Sequence, residues 1–189
     1  MNQRTITQTT RQMRSSEDDT GKHIRGYFAV FGDVYKMGDW GSESIDRHAF
    51  DDCLHDDVRC LVDHDTRMVL GRTAAGTLTL SVDDHGLAFD VTINGQDTDA
   101  LNIYARVQRG DVSGCSFGFD ILDEIAETRE DGGTHWTIRK VRLYEGSICT
   151  FPAYAATEAE ARKADHRAIR RKEVAAWKTK AKERLSKWH

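Results

Sequence analysis

Three glycines and two serines crowd one stretch of this chain, Arg-Gly-Asp-Val-Ser-Gly-Cys-Ser-Phe-Gly-Phe-Asp, residues 109 to 120. Ser116 falls in a small glycine-flanked turn leading into a β-like run, where a hydroxyl can be presented to a substrate. It is the candidate nucleophile. A serine hydroxyl stays protonated near neutral pH and needs a base within hydrogen-bond reach. His64, in Leu-Val-Asp-His-Asp, is the candidate base, and Glu145, in Leu-Tyr-Glu-Gly-Ser, the candidate carboxylate that would orient it. The order His, Ser, Glu is no obstacle, because geometry and roles define such a site. Taken alone, the stretch reads more simply as a turn serine bonding its own backbone. Ser113 competes for the role. Cys115 is the remoter choice, since it would need a lowered pKa and its side chain would leave a β run on the face opposite Ser116. Asp63 and Asp65 are the alternatives to Glu145, although side chains adjacent to His64 in a strand diverge from it.

The elements that must position these residues follow from pattern. Residues 4 to 14 read as a weak edge strand or arm and Ser15 to Gly21 as a polar turn. His23 to Phe31, rich in aromatic and β-branched residues, reads as a core strand. Residues 33 to 44 have no period and read as loop. Asp46 stands where an N-cap would, ahead of Ala49, Phe50, Cys53 and Leu54 at helical spacing, which predicts a short helix over about 47 to 55. Val58 to Val62 is a short apolar strand with His64 at its end. Leu78 to Val82 and Leu87 to Ile93 predict a hairpin about Asp-Asp-His-Gly. Asp97 to Val107 predicts a helix stopped by Gly110. Phe117 to Ile125 and His135 to Leu143 predict a second hairpin, with Ser147 to Phe151 continuing as strand. From Thr157 onward Ala, Glu, Lys and Arg favour helix. The sum is α+β, mainly β.

Composition bounds the function. At 39% hydrophobic and 31% charged the chain reads as a soluble globular protein, one domain by length. No run nears the ~18 apolar residues of a membrane span, and the N-terminus lacks a signal-peptide core, so the protein is expected to stay in the cytoplasm. Cys53, Cys60, Cys115 and Cys149 form no zinc-ligand spacing and read as reduced, buried thiols. His64 beside Asp65 also suggests a metal phosphohydrolase pair, which would need further ligands on helices where strand and loop are read. Residues 157 to 189 carry 11 Lys plus Arg against 5 Asp plus Glu, a net +6, which leaves −10 on the body from an overall −4.

Five blocks then carry a resemblance: Gly-Tyr-Phe-Ala-Val-Phe-Gly (26 to 32), Glu-Ser-Ile-Asp-Arg-His-Ala-Phe (43 to 50), Val-Asp-His-Asp (62 to 65) followed by Leu-Gly-Arg (70 to 72), Gly-Asp-Val-Ser-Gly-Cys-Ser-Phe-Gly-Phe (110 to 119) and Glu-Gly-Ser-Ile-Cys-Thr-Phe-Pro-Ala-Tyr (145 to 154). In this order they resemble the tailed-phage prohead proteases, serine peptidases of capsid maturation distantly similar to herpesvirus assemblins. The resemblance implies a herpesvirus-protease-like closed or nearly closed β-barrel with surrounding helices, plus a C-terminal helical tail. Composition and these blocks together divide the chain into an N-terminal arm or edge strand (1–20), a protease domain (21–156) and a basic helical tail (157–189). The resemblance also bears on the site. It puts Ser116 in the block of the family's nucleophile and His64 in that of its general base, with Glu145 as third member. Arg72 and backbone amides near Gly114 are candidate oxyanion donors. No metal or cofactor is implied. The expected activity is cleavage of scaffold segments of the capsid precursor, and of the protease itself, inside assembling proheads in the host cytoplasm. The alternative is a catalytically idle assembly protein that binds scaffold. The expected partners are the capsid precursor or a scaffold protein, with self-association allowed and no membrane. The basic tail fits docking on an acidic scaffold segment or a solvated helix better than nucleic acid, because interleaved glutamates break the basic face.

Overall fold

The computed structural model describes residues 4–8, 13–151 and 156–186. Among them eleven strands form two sheets. The larger is organised by one long strand, β11 (Thr134–Cys149), whose antiparallel neighbour is β10 (Gly114–Thr128). Beyond β10 lies β1 (Arg4–Gln8), antiparallel, with Thr7 opposite Ser116. On its other side β11 takes two parallel partners in succession. Residues 134–138 pair with β5 (Gly41–Ile45), and 145–148 pair with β6 (Arg59–Val62). β4 (Tyr35–Lys36) flanks β5, and β7 (Asp65–Arg72) flanks β6.

The second sheet is antiparallel, in the order β2 (Arg14–Asp18), β3 (Gly21–Val30), β9 (Gly86–Ile93), β8 (Leu78–Val82). Alternation along β9 sends Leu87, Phe89, Val91 and Ile93 into the core, as period-2 burial requires. The two sheets meet where Phe28 of β3 lies against Gly146 of β11. A Cβ on Gly146 would sit 2.3 Å from the Phe28 ring, so only glycine admits this approach. Phe28 stacks on Phe89 at 4.0 Å between centroids, and Phe117 meets Phe50 edge-on at 5.7 Å.

α1 (Thr98–Arg109) has the ends its sequence predicts. The Asp97 carboxylate accepts from the amides of Asp99 and Ala100, and Gly110 closes the helix at φ 86°. α2 (Ala156–Ser186) follows β11. No helix is long and apolar enough to cross a membrane among the described residues.

Several expectations are corrected. Strand pairing closes no barrel among the described residues, since the strands separate into two sheets with edges of their own. The polar stretch Ser15 to Gly21 is mostly strand β2, the turn shrinking to Asp19 and Thr20 between paired Asp18 and Gly21. The loop expected over 33–44 holds β4 and the start of β5. Residues 47–55 are a run of turns rather than a helix. Their amides bond three residues back, Ala49 to Asp46 and Cys53 to Phe50, so no i to i−4 ladder forms. The apolar spacing there served burial: Ala49, Phe50 and Cys53 are all in the core. The strand β7 was not foreseen.

Candidate active site

His64 lies in the tight turn between β6 and β7, where Val62 pairs with Asp65 and only Asp63 and His64 bridge the strands. Both have positive φ, 48° and 60°. Two left-handed residues in a two-residue hairpin make a type I′ turn, whose twist matches the flanking strands. Asp and His are among the non-glycine residues that enter this region most readily, at a cost of about 1–3 kcal/mol each when held there. β11 holds the turn. The Asp63 amide donates to the Ile148 carbonyl at 3.0 Å, and the Asp63 carboxylate accepts from the Thr150 amide at 2.8 Å and hydroxyl at 3.2 Å.

Of Glu145, Asp63 and Asp65, it is Glu145 that bonds the imidazole. His64 Nδ1 lies 2.8 Å from Glu145 Oε1. A carboxylate there accepts, so Nδ1 carries a proton, and in the neutral imidazole that leaves the lone pair on Nε2. Asp63 is spent on Thr150, and Asp65 takes the guanidinium of Arg67, which with the Arg67 amide lowers its carboxyl to about 2. Glu145 sits mid-strand in β11 and is 7% exposed. His64 is partly open, its side chain 28% exposed.

Ser116 is the third residue of β10, not a turn residue, and it is fully buried. Across the ladder, Gly114, Ser116 and Gly118 stand opposite Cys149, Ser147 and Glu145. Paired residues of an antiparallel ladder share a face, and residues two apart on a strand share it too. Ser116 therefore belongs to the face that presents Glu145, Ser147 and Cys149, the three side chains that touch His64. Cys115 and Phe117 belong to the opposite face. Glycines on either side of Ser116 leave that face of β10 bare except for its hydroxyl.

Ser147 was missed in the sequence. It is fully buried, its hydroxyl donates to Glu145 Oε2 at 2.7 Å, and it accepts the His64 amide at 3.2 Å. The signal was available, since a serine two residues beyond the carboxylate in a strand shares its face. Cys149 Sγ lies 3.9 Å from His64 Nε2, and burial pushes its thiol far up, as it does for Cys60. Ser113 is exposed just ahead of β10. Arg72 is held by Asp57 through two 2.6 Å bonds, which leaves its guanidinium committed elsewhere. No group of three or more metal-ligating side chains is present among the described residues.

The start of α2 is tied to the body. Arg162 is 1% exposed, donates to Glu43 through Nε at 2.8 Å and to Glu124 through Nη1 at 3.0 Å and Nη2 at 2.7 Å, and lies 4.9 Å over the Trp136 ring. His166 meets the Thr134 hydroxyl at 2.9 Å. Further on the helix is mostly exposed, with Trp177 69% open.

Compared with protein families, the chain matches the model described as caudovirus prohead serine protease over residues 9–172. Comparison with curated proteins gives no match, and neither does comparison with solved structures.

Proposed function

Because the chain belongs to the caudovirus prohead serine protease family, we propose that it is a serine endopeptidase that cleaves scaffold segments of the capsid precursor, and itself, during prohead maturation. The observation that carries this reading is the Glu145-bound imidazole of His64 on the one face of β11 that Ser116 also shares. In the proposed reaction, Ser116 Oγ attacks the scissile carbonyl carbon as its proton passes to His64 Nε2. His64 then protonates the leaving amine, the C–N bond breaks, and an acyl-enzyme remains. Water, deprotonated by the same nitrogen, attacks the ester and releases Ser116. Glu145 keeps Nδ1 protonated and stabilises the imidazolium formed in each half. The reaction takes place inside assembling proheads in the host cytoplasm, and no metal or cofactor is assigned to it.

One observation favours the second reading, a catalytically idle scaffold-binding assembly protein of the same fold. Ser116 is fully buried, and β1 runs along its strand. Catalysis therefore requires the Ser116 hydroxyl to become accessible to substrate.

Co-expression with the capsid precursor separates the two. The wild type is expected to process the precursor, and Ser116→Ala and His64→Ala to leave it intact, each to the same extent because the pair acts as a unit. Processing that survives in Ser116→Ala but fails in Ser113→Ala would move the nucleophile three residues upstream. An intact precursor with the wild type would support the idle reading.

A further inference from the structure

We infer that Ser147 is a positioning residue for the candidate base, closing a hydrogen-bonded ring that starts and ends on His64. The inference rests on the proposed roles of His64 and Glu145, and its geometry is independent of Ser116. The His64 backbone N–H donates to Ser147 Oγ at 3.2 Å, and the Ser147 hydroxyl donates to Glu145 Oε2 at 2.7 Å. The other carboxylate oxygen, Oε1, accepts from His64 Nδ1 at 2.8 Å. One hydroxyl thus uses its single proton and one lone pair on two different parts of the same catalytic unit.

Each bond answers a separate need. His64 has φ 60°, so its backbone must be held in a conformation that a histidine does not favour on its own. The Ser147 oxygen does this from a buried position, where the amide would otherwise lose its partner. Glu145 has two oxygens, and a carboxylate that is free to rotate about its last bond would present either one, or neither, to the ring. With Oε2 fixed by Ser147, Oε1 is left aimed at Nδ1. Ser147 reaches both because Glu145 and Ser147 lie two residues apart on one face of β11, while β6 runs parallel beside them and delivers the turn at its end. Leu61 pairs with Ser147 and Val62 with Ile148, so the chain leaves β6 for the turn one residue past Ser147.

The ring has a spectroscopic signature that does not depend on turnover. The Nδ1 proton of a histidine bonded to a carboxylate exchanges slowly and resonates far downfield in proton NMR. Its assignment would rest on its loss in His64→Gln and in Glu145→Ala, which removes the acceptor. In Ser147→Ala we expect this resonance to vanish or move upfield, while kcat for a precursor-derived peptide falls roughly tenfold to hundredfold, the worth of one or two hydrogen bonds to a charged group, and KM stays unchanged. Ser147→Cys, close in volume and poor as a donor, is expected to behave the same way, which covers the case in which the alanine variant does not fold. Ser147→Thr, which restores the hydroxyl, is expected to recover the resonance and most of kcat. A resonance unmoved in Ser147→Ala or Ser147→Cys, or an equal loss in Ser147→Thr, overturns the inference. If the wild type cleaves no precursor, the proposed activity fails, and the resonance still decides whether Ser147 holds the ring.

Discussion

Arg162 ties α2 to the body by a contact whose removal has a calculable effect. Its guanidinium is 1% exposed and Glu43 is 7% exposed, so Arg162→Ala leaves a carboxylate buried without its cation. Breaking a buried pair in this way costs about 3–5 kcal/mol, against about 0–1 kcal/mol for an exposed one. The cation over Trp136 adds to the loss. For a chain of this size each kcal/mol lowers Tm by roughly 2–4 °C, so a drop of roughly 6–20 °C is expected in calorimetry. The loss should persist at high salt, because a buried pair is little screened. Arg162→Met combined with Glu43→Gln should be less destabilised than the sum of the two single changes, since the carboxylate it leaves, Glu124, is 30% exposed and reaches water. Truncation after Lys172 keeps the whole cluster and should leave Tm nearly unchanged. A loss below about 1 kcal/mol for Arg162→Ala would refute the reasoning, because it would give this pair the worth of a surface bridge.

Two further outcomes are expected. Gly146→Ala should destabilise the protein by about 1–3 kcal/mol or more in urea titration, because its methyl group meets the Phe28 ring and one sheet must shift; a neutral result would refute the close approach described. All four cysteines are buried, with Cys53 pushed up to about 11 and Cys60 and Cys149 also raised by burial. Iodoacetamide at pH 8 should therefore label the native protein far more slowly than the urea-unfolded chain and should not inhibit peptide cleavage, whereas rapid inhibition by alkylation of Cys115 would replace Ser116 as the nucleophile.

Legibility in the sequence followed the range of the interactions. α1 could be bounded from Asp97 and Gly110 because capping is local. β8 and β9 could be read because one face is buried and the other is not. β5, Gly-Ser-Glu-Ser-Ile, could not: four of its five residues are buried, and the cation that Glu43 meets there, Arg162, arrives from 119 residues away. The turns at 47–55 looked helical because apolar spacing reports burial and says nothing of the bond pattern. At the site, His64, Ser116 and Glu145 stood out through family resemblance, and the pairing of His64 with Glu145 is now a distance. Ser147 stayed hidden because its role depends on β6 lying parallel to β11, a pairing that no local pattern signals.

That parallel pairing also dictates when the site can exist. His64 and Glu145 are 81 residues apart in the chain, and β6 can join β11 only after the intervening hairpin, helix and β10 have emerged from the ribosome. Contacts of such separation form late, after the entropy of closing a long loop has been met. A nascent or half-folded chain therefore has a histidine but no Glu145 beside it, and the proposed catalytic unit matures only with the last strand of the sheet. For a protein synthesised in the same compartment as its proposed substrate, this order of folding acts as a built-in delay, set by topology alone.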